Sequence, residues 1–142
     1  MQGTNVDVLS GGRLARLGGP LSMLAAGVAA FAVVALVDPN EPGHYPTCPF
    51  LALTGEFCPG CGSLRAMHAL THGDVAAAAG LNVLALASLP VLALIWLLWV
   101  RRSWTGAPRA KTAPATLIWA LAVAVLVFGV VRNLPFGAAL AP

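Results

Sequence analysis

Three long apolar runs constrain this chain more than any other feature. Residues 21–37, 81–100 and 115–131 contain no charged side chain. As helices they extend roughly 25 to 30 Å, close to the hydrocarbon thickness of a bilayer. In lipid the backbone must satisfy its own hydrogen bonds, so such runs are expected to be helical. The apolar/polar alternation of barrel strands is absent. Only 9% of the 142 residues are charged, where a soluble domain carries about a quarter. So few charges cannot clothe a water-facing surface. The expected fold class is all-α integral membrane: three transmembrane helices, with a Cys-rich loop and a short interfacial helix between the first and second.

The basic residues divide the chain further. Arg13 and Arg16 precede the first run, and Arg65 alone lies between the first and second. Arg101, Arg102, Arg109 and Lys111 follow the second run, and Arg132 follows the third. If three helices alternate in direction, both richer segments share one side, which the positive-inside rule makes cytoplasmic. Trp96, Trp99, Trp104 and Trp119 fall near that same side, as an aromatic belt does. The expected organisation is a cytoplasmic tail (1–19), a first span (20–37), a Cys/His-containing loop with interfacial helix (38–80) and a second span (81–100). A basic cytoplasmic loop (101–114), a third span (115–131) and a C-terminal tail (132–142) follow. The first run is longer than the roughly 7 to 15 residues of a signal-peptide core, so it reads as a retained anchor. The location implied is the cell membrane, multi-pass, with the N-terminus cytoplasmic and the Cys-rich loop exterior.

The net charge of +3 is spread over few residues beside apolar runs. It reads as topology and not as a nucleic-acid footprint, so no nucleic-acid partner is expected. The lipid bilayer is the first partner. Ala25, Ala26, Gly27, Ala29 and Ala30 give small-residue faces suited to a membrane-protein partner, a second copy, or the chain's own helices. No span holds a charged side chain, which argues against an ion pathway. No nucleotide loop, hydrolase elbow or metalloprotease motif appears.

Residues 38–80 hold all three cysteines (Cys48, Cys58, Cys61), all three histidines (His44, His68, His72) and four of the five acids. The first half, rich in Pro and Gly, is expected to be an irregular loop. The second half reads as a helix from Pro59 or Gly60 to Thr71, ended by a left-handed Gly73. Asp74 is placed to cap a short helix over 75–79. Asn82 opens the second span as a cap or an interhelical donor, and Pro90 is expected to kink that span. On one continuous helix Cys61, Arg65, His68 and His72 follow a single stripe, within about 40° of Cys61.

Cys58-Pro59-Gly60-Cys61-Gly62 admits three chemistries. A C-x-x-C at a helix start favours a thiolate, with Arg65 adding positive charge. The segment is too short for the α/β domain that surrounds a thioredoxin-type pair, so no catalytic residue is assigned. A tight Cys-Pro-x-Cys-Gly turn also aims two sulfurs at one metal ion, zinc being the candidate cofactor. Cys48 then supplies a third ligand and His44 a fourth. His68 and His72 stand roughly 10 and 16 Å along the helix from Cys61; with bonds of about 2.0 to 2.3 Å, His72 is out of reach and His68 marginal. Third, an oxidising exterior favours a structural disulfide from Cys48 to Cys58 or Cys61, leaving one thiol over.

Cys48-Pro49-Phe50, Leu53-Thr54-Gly55, Cys58-Pro59-Gly60-Cys61-Gly62-Ser63-Leu64-Arg65-Ala66 and the Gly73-Asp74 pair together resemble domain-of-unknown-function family 2752. That family comprises small bacterial membrane proteins with a C-P-x-C-G-x-x-R-A motif. The resemblance covers residues 48–84 and the second span, and implies a bacterial membrane location without an activity. The positions that carry it are Cys58, Cys61, Gly62, Arg65, Gly73, Asp74 and Asn82. Ser63-Leu64 and Val83 depart from the family text. The function expected is that of a non-enzymatic accessory or scaffold subunit, its exterior loop ordered by a disulfide or a metal. The alternative is a thiol-redox or metal-handling protein at the membrane surface.

Overall fold

The computed structural model describes residues 5–108 and 113–142, the side chains of 5–11 and 13 excepted. Arg109, Lys111 and the Arg13 side chain, used above to orient the chain, lie outside the described residues. Those residues are all-helical, with no strand: α1 (Asn5–Leu36), α2 (Pro49–Thr54), α3 (Ser63–Thr71), α4 (Val75–Thr105), α5 (Ala115–Val131) and a 3-10 turn, η1 (Pro135–Leu140). Two stretches, Leu14–Leu36 and Val75–Thr105, are long and apolar enough to cross a membrane. The 17-residue α5 is apolar but shorter. None of these three helices has a marked polar stripe, as expected of helices with apolar surroundings on every side. None of the most apolar 18 residues of α4 is fully buried within the chain, which distinguishes α4 from the core helix of a soluble domain.

The chain forms two compact units. Among the described residues, 5–29 and 90–108 make up the first. There Trp96 donates its indole N–H to the carbonyl of Pro20 over 3.1 Å. Pro20 is fully buried, and the Trp99 ring lies against Gly19. Pro20 has no N–H to give back, so the α1 ladder is already interrupted at this turn.

Residues 30–89 and 113–142 make up the second unit, which holds every cysteine. The loop after α1 is less irregular than the sequence suggests. Pro49 at the first position of α2 and left-handed Gly55 (φ 76°) at its end bound a six-residue helix, the usual Pro-start, Gly-stop arrangement. α3 begins at Ser63 and not at Pro59 or Gly60, because Gly62 adopts φ 80° and interrupts any helix there. Cys61 is therefore off the helix, and the stripe joining it to Arg65, His68 and His72 does not form. At the other end the Asp74 N–H donates to Ala69 O and the Gly73 N–H to Leu70 O, both at 3.0 Å. With Gly73 at φ 81° this is a Schellman stop. Asp74 then accepts the Ala77 N–H at 2.8 Å and starts α4.

Within α4 the departure from helical backbone falls at Asn82 (φ −162°, ψ 92°), eight residues before Pro90. Residues 75–81 and 83–105 are thus two helices joined at Asn82. Its Oδ1 accepts the Ala85 N–H at 3.0 Å, capping the second.

Candidate functional site

The site is built on the backbone of residues 57–62. Two successive turns shape it: Cys61 N–H donates to Cys58 O at 3.0 Å, and Ser63 N–H to Gly60 O at 3.1 Å. Gly62 is required here twice over. Its φ is 80°, and a Cβ would sit 2.5 Å from the Leu81 carbonyl oxygen and 2.6 Å from Pro142 Cβ. No other residue type fits so close an approach in the left-handed region.

The carbonyls of this turn are gripped from behind by two buried side chains, each 1% exposed. Asn82 Nδ2 donates to Pro59 O and Cys61 O at 3.0 Å each and reaches Ser63 Oγ at 3.1 Å. The break in α4 thus serves a purpose, since the same amide caps one helix and holds the cysteine turn. Arg132, just past α5, donates through Nη1 to Cys58 O (3.0 Å), Cys61 O (3.1 Å) and Pro59 O (3.4 Å). Its guanidinium carbon lies 5.9 Å from the Phe57 ring centre and 5.1 Å from that of Phe128. Asn133 pairs with Phe57 as a strand would, accepting its N–H and donating to its carbonyl, both at 2.8 Å.

On this support the three thiols converge. The Cys48 and Cys58 sulfurs are 3.4 Å apart, those of Cys58 and Cys61 3.1 Å apart, and all three lie within 4.8 Å of one another. All are free thiols. The Cys58 N–H also donates to the Cys61 sulfur at 3.3 Å. The thiols differ electrostatically. The Leu51 backbone N–H at the start of α2 and the Cys58 thiol draw Cys48 down to about 7, although Cys48 makes no full capping hydrogen bond. Burial, and then the Cys58 thiol, push Cys61 up to about 12. Cys48 and Cys61 line an open cleft of about 500 Å³, walled also by Pro39, Glu41, Tyr45, Leu51, Phe57 and Arg65.

The other residues singled out from the sequence lie apart from the sulfurs. His44 is not in the cluster; its Nδ1 stands 3.2 Å from Asp38 O and 3.5 Å from Glu41 Oε2. His68 Nδ1–H donates to Val34 O at 2.7 Å, while its Nε2 is 3.7 Å from Asp38 Oδ1. That carboxyl is held below its usual range, chiefly by the Asn40 backbone N–H. His72 turns its Nδ1 back to the His68 carbonyl at 2.9 Å, and the two imidazole centres are 4.5 Å apart. Arg65 faces the cleft. Sequence reasoning missed Arg132, which enters the charge pattern only as the basic residue after the third run, and with it Asn133 and Phe57. No local signal marks them, since their partners lie more than 70 residues away along the chain.

Three sulfurs at about 2.3 Å from one tetrahedral ion stand roughly 3.8 Å apart. Shifts of an ångström or less bring the observed sulfurs to that spacing. The central Cys58 is also near enough to either neighbour to pair with it after a small rotation. No curated protein and no solved structure matches the chain. Residues 48–96, which carry the three cysteines and Asn82, match the family model "Protein of unknown function (DUF2752)".

Proposed function

We propose that this chain is a three-span membrane protein whose residues 38–80 lie on the exterior face and hold one thiophilic metal ion, zinc in the first instance. Cys48, Cys58 and Cys61 are its ligands. The ion orders the loop and its cleft as a binding surface, and the protein acts as a non-enzymatic accessory subunit. The observation that carries the reading is the mutual approach of three sulfurs. A loop-pinning disulfide needs two, and leaves the third without a role. The apolar α1, α4 and α5, with the Lys and Arg distribution, support the bilayer and its sidedness. His44 stays outside the ligand set, so the fourth position is open to water or to a group entering the cleft.

Metal binding displaces thiol protons, so the bound state is the tri-thiolate. The test is the zinc content of the chain purified reduced, in detergent. One equivalent is expected, falling below a tenth in the Cys58→Ser variant. Wild type free of metal, with no recovery on adding zinc, sinks the reading. A second reading, a disulfide from Cys58 to Cys48 or Cys61, is favoured by the 3.4 and 3.1 Å separations and by an oxidising exterior. Peptide mapping without reduction distinguishes the two. For sidedness, a membrane-impermeant thiol reagent on intact cells should label metal-stripped, reduced Cys48. Labelling only after lysis reverses the topology.

A further inference from the structure

Arg132 is the one basic side chain among the described residues that is fully buried, and three of its five N–H donors have no partner. Nη1 is committed to the carbonyls of the cysteine turn. Nε and Nη2 are buried and have no partner. No carboxylate among the described residues lies within ion-pairing distance of it. The titratable residues whose backbone it holds are Cys58 and Cys61. A buried guanidinium keeps its proton, so its cost falls only if an anion stands beside it. The Phe57 and Phe128 rings supply partial compensation.

We propose that Arg132 is the built-in counter-charge of the cysteine centre, and that the centre's working state is anionic: a divalent cation held by three thiolates, net charge −1. This rests on the metal reading of the site and fixes which state of it the fold is made for. The charges match one to one. A disulfide beside a neutral thiol gives the guanidinium no anion, and a monovalent ion with three thiolates gives an excess. Arg132 touches backbone carbonyls and not the ion, so it is a positioning residue. It reaches the turn from beyond α5, far along the chain from the ligands, and so ties the end of α5 to the occupied state.

The test is cobalt(II) binding to the full chain in detergent, read by its thiolate charge-transfer band and by competition with a chromophoric chelator. Wild type, Arg132→Lys and Arg132→Gln are compared, with helical circular dichroism as the fold check. Removing an outer partner of a metal site costs about 10- to 100-fold in affinity, and that loss is expected for R132Q, which keeps a donor but not the charge. R132K, which keeps the charge, should stay within about tenfold of wild type. R132Q binding as tightly as wild type overturns the proposal, as does R132K being as weak as R132Q. If R132Q cannot be purified, R132K decides alone: retained binding supports the counter-charge, and a hundredfold loss overturns it. Wild type without a cobalt band sinks the metal reading and this inference together, whereas an intact band in R132Q sinks the inference alone.

Discussion

Within the second unit, the cysteine turn and the apolar helix α5 solve the problem of stability in opposite ways. The turn is fastened internally: Asn82 Nδ2, Arg132 Nη1 and the Asn133 amide all bond its backbone, and Cys61, Asn82 and Arg132 are buried. α5 has no buried residue along its length and turns Leu121, Leu126 and Val130 outward. The turn carries its own solvent, in the sense that protein groups satisfy its carbonyls. α5 requires an apolar solvent from outside. The difference teaches where substitutions will be felt. Side-chain changes at the turn act on folding of the chain, while those on the outward face of α5 act on its surroundings.

Gly62→Ala should break the comparison most severely. The left-handed backbone alone costs of order 1–3 kcal/mol, and the Cβ meets the Leu81 carbonyl. A total loss above about 3 kcal/mol is expected, or no accumulation, read by chemical unfolding in detergent. Gly73→Ala has a similar φ of 81° with open space around it, so it should lose only about 1–2 kcal/mol. Equal losses would mean that close approach is unimportant.

Next in size is the contrast between two thiols of the same cluster. In metal-free, reduced protein, Cys48 should form its thiolate as pH rises through about 7. Cys61 should remain a thiol until pH approaches about 12. Since the thiolate is the nucleophile, iodoacetamide at pH 8 should modify Cys48 at least about a hundredfold faster than Cys61. Mass spectrometry of the peptides reads the ratio, and a ratio near one contradicts the burial of Cys61.

Asn82→Ala removes a helix cap and two carbonyl partners together. The cap is worth about 1 kcal/mol; Arg132 still donates to both carbonyls, so each lost Asn82 bond adds only about 0.5–1.5 kcal/mol, and about 2 kcal/mol or more should be lost. Asn40→Ala, at an exposed Asx turn, should change stability by less than about 0.5 kcal/mol. The smallest effect belongs to the other region. Leu126→Ala on α5, where Leu126 is 65% exposed, should also stay within about 0.5 kcal/mol. A loss of 2 kcal/mol there would show that α5 packs on something the single chain lacks.

What could be read from the sequence follows the same division. The apolar helices are announced by composition, because a run without charge has one stable conformation in an apolar medium. The Gly73-Asp74 junction is legible because stop and cap chemistry is local. The convergence of Cys48 on the C-x-x-C turn is suggested by their shared segment. The support for that turn was not legible. Arg132 and Asn133 lie more than 70 residues from the carbonyls and N–H they bind, and nothing local distinguishes a buried Arg at a span end from a solvated one. The Cys61–Arg65–His68–His72 stripe failed for a local reason. Gly62 closes the C-x-x-C motif, and its left-handed backbone starts the helix only after it, at Ser63. The Pro49–Gly55 bracket around α2 was likewise present and unused.

The central claim is that three sulfurs of this turn hold one ion. X-ray absorption at the zinc edge of the reduced, zinc-loaded chain tests it most directly. The account predicts one zinc per chain, with three sulfur neighbours at about 2.3 Å and one lighter fourth neighbour. A first shell made only of nitrogen and oxygen, or a chain that holds no zinc while Cys58 is bridged to Cys48 or Cys61, contradicts it.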